Sequence, residues 1–357
     1  MANVSRLAGV FVVVLALVLV VAAAMPLLAS SGGDANPRPQ NPASFQPGNI
    51  IPEDLEQNGS ISIDASGEER VVLIDQAHDN DFDREDIEPM VDALIAQGYE
   101  VRFHGGSGPG GGARPAGPGS SSPLNESLRS ADAFVVISPE RRFSDAAQRG
   151  LVDFADRGGR VALLGEPTSS TSSVISIFGP APGPDVTSQM TPLSSRFDMS
   201  LSTGYLFNMF ENGNNFQNVY ASASGDGPLT EDVDRVLFDR ATNVNVGGDA
   251  TVALSATDRT ALSATREQEE YSVAAVNGNV ALVGDTSFLT PENHNYADNE
   301  VFISNLAEFL VTGQKEPKPE PDARRPGAPP GARQPRPPAA GQPPTNDTTP
   351  PTTPAAP

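Results

Sequence analysis

Apolar and polar positions in the first third of the chain alternate between a strand pattern and a helix pattern. The run "RVVLID" at 70–75 is a short buried strand pattern that ends in an acid. The segment "EDIEPMVDALIAQGY" then has apolar residues at helical spacing: Ile87, Met90, Val91, Leu94 and Ile95. We therefore predict an amphipathic helix that Asp83 caps and Gly98 ends.

The same alternation continues along the chain. Strand patterns recur at 99–104, 132–138 and 160–166, and "SDAAQRGLVDFADRGG" is a helix pattern capped by Ser144 and stopped by Gly158–Gly159. Alternating strands and helices of these lengths predict an α/β fold, with a parallel sheet flanked by helices.

The second half of the chain has a different pattern. Residues 168–270 are rich in Ser, Asn, Asp and Gly, with short β-like runs such as 251–257, and predict a β-rich polar insertion. The segment "YSVAAVNGNVALVGD" predicts a hairpin with a type I′ turn at Asn277–Gly278. A last helix pattern follows Asp298, its predicted N-cap, and stops at Gly313.

The termini predict location and domain organisation. Residues 1–29 contain an apolar run long enough to span a bilayer, so we predict a transmembrane anchor or signal peptide, with membrane contact through residues 7–28. Arg6 before the run predicts a cytoplasmic N-terminus and an external main domain; signal cleavage and secretion is the alternative. We predict a flexible tether at 30–67, the folded domain at 68–312 and a disordered Pro/Thr-rich tail at 313–357.

Composition removes several classes of function. The net charge of −22 argues against nucleic acid as a partner, and the acidic bias is typical of a halophile. The absence of cysteine excludes disulfides, a Cys nucleophile, zinc–thiolate sites and iron–sulfur clusters. Glycosylation sequons begin at Asn58, Asn125 and Asn346.

The stretch "DQAHDNDFDRED" at 75–86 has the densest cluster of potential ligands. Asp79, Asp81 and Asp83 have the spacing of a calcium loop, but Arg84 and Met90 occupy the positions that require Gly and Glu. The calcium-loop interpretation therefore fails, and an acidic turn before a helix N-terminus explains these residues.

Polar residues after several strands are candidates for one ligand-binding edge, because ligands bind at the carboxyl ends of strands in open α/β sheets. The candidates are Asp75, His78, Asn80, Glu140, Glu166, Asp285, Asp298 and Asn299. Asp75, His78 and Asp285 form one candidate metal site. The alternative is that these groups hydrogen-bond neighbouring loops to one another, and that Asp298 belongs to a structured loop.

The glycines of "GGSGPGG" have dinucleotide-fingerprint spacing at Gly106, Gly108 and Gly111. The sequence that follows is too rich in Gly and Pro for the helix that this fingerprint requires, and no P-loop lysine is present. We predict a surface loop and no cofactor.

Three segments together resemble a known family. They are "VVLIDQAHDNDF", "ADAFVVISPERRFSDAAQRGLVDFADRGGRVALLGEP" and "GDTSFLTPENHNYADNEVFISNLAEFL". They resemble the family called domain of unknown function 4350, over about residues 68–312. The family is related to auxiliary subunits of gliding-type ABC transporters and to class I glutamine amidotransferase-like folds. The resemblance implies a flavodoxin-like parallel sheet and marks these positions: Asp75, His78, Asn80, Gly284, Asp285, Phe288, Asp298, Asn299 and Asn305.

The resemblance implies no activity, since amidotransferases use a cysteine that this chain lacks. Family members often occur beside a MoxR-type ATPase, which implies protein partners in a membrane or ATPase-associated complex. We expect a non-catalytic binding or accessory protein of an envelope or transport complex. The alternatives are a metal-dependent hydrolase using Asp75, His78 and Asp285, and a structural cell-envelope protein.

Overall fold

The computed structural model describes residues 55, 57, 59–64, 69–105, 123–168 and 188–317. The predicted anchor at 1–29 and the glycines of the Gly-rich segment lie outside these residues. In the part of the chain that is described, no helix combines the length and the apolar character needed to cross a membrane.

Thirteen strands are present in the described residues. They are β1 (Val71–Asp75), β2 (Glu100–His104), β3 (Ala133–Ile137), β4 (Arg160–Leu164), β5 (Met199–Leu201), β6 (Leu206–Phe207), β7 (Asn218–Ala223), β8 (Val236–Asp239), β9 (Val244–Val246), β10 (Thr251–Ala256), β11 (Ala261–Leu262), β12 (Ser272–Asn277) and β13 (Val280–Val283). The α-helices of the same residues are α1 (Glu88–Ala96), α2 (Pro123–Ser127), α3 (Asp145–Asp156), α4 (Thr191–Ser194) and α5 (Asn299–Val311), and the 3₁₀ turns are Glu85–Ile87, Ser195–Phe197 and Ser287–Leu289.

Nine strands form one mixed sheet in the order β2-β1-β3-β4-β13-β12-β10-β7-β8. The first five are parallel, as the alternation of strands and helices predicted. The last four are antiparallel. The polar region 168–270 therefore does not form a separate insertion, because three of its strands, β7, β8 and β10, continue the same sheet.

Alternation along each parallel strand divides the core between the two faces of the sheet. In β3, Val135 packs in the core that contains residues of α1 and α5, whereas Phe134 and Val136 pack in the core that contains residues of α2 and α3. The result is an α/β arrangement with helices on both faces of the parallel half.

Two predicted helix ends, at Ser144 and Gly98, are confirmed, whereas the predicted cap at Asp83 is wrong. Ser144 accepts a hydrogen bond from the backbone N–H of Ala147 at 3.2 Å, so it caps α3. Gly98 follows α1 with a φ of 91°, which favours glycine. Asp83 does not cap α1: its own N–H donates to Asp86 Oδ2, because a 3₁₀ turn precedes the helix.

The predicted hairpin is confirmed, but its turn differs. Asn277 pairs with Val280, so the two central residues are Gly278 and Asn279. Of these only Gly278 has a positive φ, 54°. A type I′ turn needs positive φ at both central positions, so the predicted turn type is wrong.

The segment before β1 belongs to the packed domain. Ile63 is buried, and the backbone N–H groups of Ser62 and Asp64 donate to Ser304 Oγ and Glu308 Oε1 of α5. Residues 59–64, which the sequence pattern assigned to the tether, therefore dock along α5.

Candidate functional site

Asp75 and His78 form a buried pair at the carboxyl end of β1. Asp75 is fully buried, and its Oδ2 lies 2.8 Å from His78 Nδ1. A carboxylate only accepts, so Nδ1 carries the proton and Nε2 is the nitrogen left to face other groups. The imidazole stacks on Phe143 with 3.7 Å between ring centroids, which fixes its plane.

The loop after β1 is joined to the loop after β3 by hydrogen bonds. Asn80 Nδ2 donates to the carbonyl of Ile137 at 2.7 Å, and Asn80 Oδ1 accepts from the N–H of His78. The N–H of Arg141 donates in turn to the carbonyl of His78 at 2.9 Å. Asn80, a predicted ligand, therefore holds the loop that presents His78.

His104 belongs to the same cluster, although we did not predict it from the sequence. It ends β2 directly opposite Asp75 in the parallel register. Burial lowers the pKa of His104, an effect that the Asp75 carboxylate opposes and His78 adds to. The available signal was its place at the end of the strand that follows β1, since neighbouring parallel strands end together.

A second cluster lies at the ends of β4 and β13. Val283 pairs with Leu164, so Asp285 and Glu166, each two residues farther along, lie side by side. Ser287 donates to Asp285 through its N–H at 2.7 Å and its hydroxyl at 2.8 Å. The N–H of Thr286 donates to Glu166 Oε1 at 2.9 Å, and the Thr286 hydroxyl donates to the same oxygen.

Burial dominates the electrostatics of this acidic pair. It raises the pKa of Asp285 well above its ordinary value, and the nearby Glu166 carboxylate raises it further. Burial also raises the pKa of Glu166, against the hydrogen bonds from Thr286. Two adjacent acids in these surroundings favour a shared proton.

The candidate metal ligands are not brought together. Asp75 and His78 are adjacent, but β3 and β4 separate β1 from β13. Three interstrand steps place Asp285 about 14 Å from Asp75. In the described ranges, no group of three or more His, Asp or Glu side chains could hold a metal ion. Glu140 is exposed and belongs to neither cluster.

Ser138 directly follows β3 and lies between the two clusters. Its φ of 37° is in the left-handed region, and its buried Oγ has no hydrogen-bond partner among the described residues. Such a position suggests a nucleophile on a strained turn. However, the residue after an elbow nucleophile supplies an oxyanion-hole N–H, and Pro139 has none.

Asp298 and Asn299, two further predicted ligands, bind backbone groups of the chain instead. Asp298 Oδ2 accepts from the N–H groups of Asp234 and Arg235, so its side chain does not cap α5 as predicted. Asn299 is fully buried, and its amide pairs with both the N–H and the carbonyl of Leu237. These contacts occupy the outer edge of β8.

The other positions marked by the resemblance also have structural roles. At Gly284 a side chain would meet the carbonyl oxygen of Thr242 at 2.3 Å from its Cβ, so only glycine allows this approach. Phe288 packs in an aromatic trio with Phe238 and Phe302. Asn305 Nδ2 donates to the carbonyl of Glu231 at 2.8 Å.

Only one glycosylation candidate lies in the described residues. Asn125 Nδ2 is 3.4 Å from the carbonyl of Ala146, and its Oδ1 is buried beside Gly150. A glycan there would have to disrupt the packing of α2 on α3. Asn58 and Asn346 lie outside the described residues.

The fold and the edge clusters define an α/β protein with a mixed nine-stranded sheet. The model of the family described as Domain of unknown function (DUF4350) matches residues 116–307, more than half of the chain, so the chain belongs to this family. The matched residues include Glu166 and Asp285 but not Asp75 and His78. No curated protein matches the chain.

Several solved structures resemble the chain at a distance. The mmIFT52 N-terminal domain is 11% identical and has a TM-score of 0.49, over 69% of this chain and 99% of that one. A putative ThuA-like protein from Parabacteroides merdae is 11% identical, with a TM-score of 0.40, over 71% and 93%. The glutaminase domain of Trypanosoma brucei CTPS is 10% identical, with a TM-score of 0.32, over 68% and 94%. Likenesses this distant carry no functional conclusion.

Proposed function

We propose that this protein is a membrane-anchored, extracytoplasmic, non-catalytic binding or accessory protein whose ligand edge is formed by Asp75, His78 and His104. The observation that carries this proposal is the position of the Asp75–His78 pair. The order β2-β1-β3-β4-β13 of the five parallel strands supports a flavodoxin-like arrangement, in which a ligand would bind outside the switch point between β1 and β3.

The two clusters support binding rather than catalysis. The residues of the metal-dependent hydrolase alternative are divided between two clusters, and the chain has no cysteine nucleophile. Ser138 lacks the backbone donor that elbow chemistry uses. His78 instead offers a positioned imidazole, held by Asp75 and Phe143, which suits recognition of a hydrogen-bonding group on a partner.

The proposed location is based on the sequence. The apolar segment at 1–29 would place the domain outside the cell, and the acidic composition suits a halophile envelope. The family resemblance suggests a partner in a membrane or ATPase-associated complex.

The test uses the full-length chain in its native membranes. We expect external protease to digest the domain in intact cells. We further expect the His78→Gln variant to remain folded but to lose a partner that the wild-type chain recovers after cross-linking. His294→Gln is the control, since His294 lies between the 3₁₀ turn Ser287–Leu289 and α5, and its Nδ1 donates to the carbonyl of Pro291.

Two contrary results would each overturn a different part of the proposal. Equal recovery by both variants, with loss only on deletion of 313–357, would favour the structural envelope protein. Protease resistance in intact cells and digestion only after lysis would contradict the external location.

A further inference from the structure

Exposed apolar side chains are concentrated in one loop, away from the Asp75–His78 pair. The large hydrophobic residues that the described structure exposes are Ile95, Met209, Phe210, Phe216 and Val246. Three of them lie in the eight residues from 209 to 216, between β6 and β7. Met209 and Phe210 are 65% and 66% exposed, although a surface loop does not need large apolar side chains in contact with solvent.

Asn208 fixes the loop in place. This fully buried residue accepts from the N–H groups of Phe210 and Glu211 at 2.9 Å each. Its Nδ2 donates to the carbonyl of Asp258 at 2.9 Å and contacts the Thr260 hydroxyl at 3.2 Å. Met209 and Phe210 are therefore held outward by a rigid anchor, so binding there would cost little ordering entropy.

Aromatic rings continue the exposed surface. The Phe207 ring lies 6.4 Å from Tyr205 and 6.3 Å from Phe216, both edge to face. The guanidinium of Arg259 lies 4.8 Å from the centroid of the Phe210 ring, so this ring already accepts an arginine. We call Tyr205, Phe207, Met209, Phe210 and Phe216 the aromatic platform.

Acidic groups lie beside the platform. Glu211 follows Phe210 in the loop, and Asp258 provides the carbonyl that Asn208 binds. β6 pairs with β11, and Ala261 of β11 bridges to Gln268, which brings the exposed acidic run 267–270 alongside. This run carries Glu267, Glu269 and Glu270.

We propose that the aromatic platform binds a proline-rich, arginine-bearing peptide in extended form. Proline-rich segments enter aromatic-lined grooves because the polyproline II helix is preformed and loses little entropy on binding. The acidic rim complements arginines of such a peptide. The same rim disfavours anionic lipid headgroups and a second acidic copy of this platform.

The chain itself provides a suitable probe sequence. Residues 323–346, "ARRPGAPPGARQPRPPAAGQPPTN", carry four arginines and no acidic residue in an otherwise acidic chain. A labelled synthetic peptide of this sequence would be titrated into a chain that ends at Pro317, which keeps all the helices and strands described. The thermal midpoint of this truncated chain must equal that of the full chain.

Fluorescence anisotropy should show saturable binding. Phe210→Ser and Phe216→Ser should each weaken it at least tenfold, whereas Ile95→Ser, an exposed apolar residue on α1, should leave it unchanged. A peptide with its four arginines changed to glutamate should also bind at least tenfold more weakly. Binding that is absent, or equal for Phe210→Ser and Ile95→Ser, would overturn the proposal.

A second measurement uses the full chain, so it tests the proposal even if the truncated chain does not fold. A photo-reactive phenylalanine at position 210 should cross-link to proline-rich sequence. Cross-links to lipid, or to the folded part of a second copy, would assign the platform to a membrane or a dimer and overturn the proposal.

Discussion

Two buried aspartates at the same edge of the sheet lie in opposite electrostatic surroundings. Asp75 has an imidazole 2.8 Å away, whereas Asp285 has the carboxylate of Glu166 as its neighbour. The imidazole can donate to Asp75 and still present a second nitrogen, so this pair remains available to a ligand. The acidic pair is instead occupied by donors from residues 286 and 287.

Burial alone therefore does not mark a binding residue. Both aspartates are fully buried, and both lie at the carboxyl end of a parallel strand. What separates them is the kind of partner, since both bind the loop that follows them. Asp285 accepts from the N–H and the hydroxyl of Ser287, whereas Asp75 accepts from an imidazole that has a second nitrogen.

The largest expected effect is the loss of the acceptor at Asp285. Asp285→Ala leaves the N–H and hydroxyl of Ser287 without their acceptor in a buried place, so we expect the free energy of unfolding to fall by about 2–3 kcal/mol. Urea denaturation measures it. Asp285→Asn keeps an acceptor oxygen and should lose less than half as much. Wild-type stability in Asp285→Ala would show that these hydrogen bonds contribute nothing.

The next effect concerns His78. His78→Ala removes the donor to a buried carboxylate and the stacking on Phe143, which should cost about 2 kcal/mol in the same assay. His78→Gln, whose amide can still donate to Asp75, should recover part of the loss. Equal losses in both variants would mean that Asp75 does not depend on this hydrogen bond.

The acidic pair should also make stability depend on pH. The pKa values of Asp285 and Glu166 are raised in the folded chain, so the folded state holds protons more tightly than the unfolded state. The stabilisation is therefore complete below the unfolded pKa values and is lost as pH rises through the raised ones. Asp285→Asn removes the titrating group at position 285. Its stability relative to the wild type should rise between pH 4 and pH 8, and a flat or falling difference would argue against raised pKa values.

The smallest effect should come from Glu140. This exposed residue belongs to neither cluster, so Glu140→Ala should change the unfolding free energy by less than about 0.5 kcal/mol and leave partner recovery unaltered. Loss of the partner in this variant would extend the ligand edge beyond β1 and β2.

The parallel half was predictable because its signals are local. The apolar runs of β1, β3 and β4 and the cap at Ser144 each depend on a few neighbouring residues. The antiparallel half was not predictable in detail, since short polar strands give weak periodicity and their pairing depends on distant segments. Asn299 binds Leu237, 62 residues away, and no local pattern reveals this contact.

The candidate site was predictable only in part. Strand ends pointed to Asp75 with His78, and to Glu166 with Asp285, as polar groups, and the structure places each of these two pairs at the end of a strand. The sequence could not reveal that β3 and β4 separate the two clusters, because strand order is a property of the whole sheet. It is also register that places His104 beside Asp75.

Partner recovery from native membranes most directly tests whether the ligand binds the Asp75–His78 pair rather than the Asp285–Glu166 pair. The His78→Gln and Asp285→Asn variants are compared side by side, both in full-length chains of verified folding. We expect His78→Gln to lose the partner and Asp285→Asn to retain it at the wild-type level. Retention by His78→Gln together with loss by Asp285→Asn would place the ligand edge at β4 and β13 and would contradict a ligand edge at Asp75 and His78.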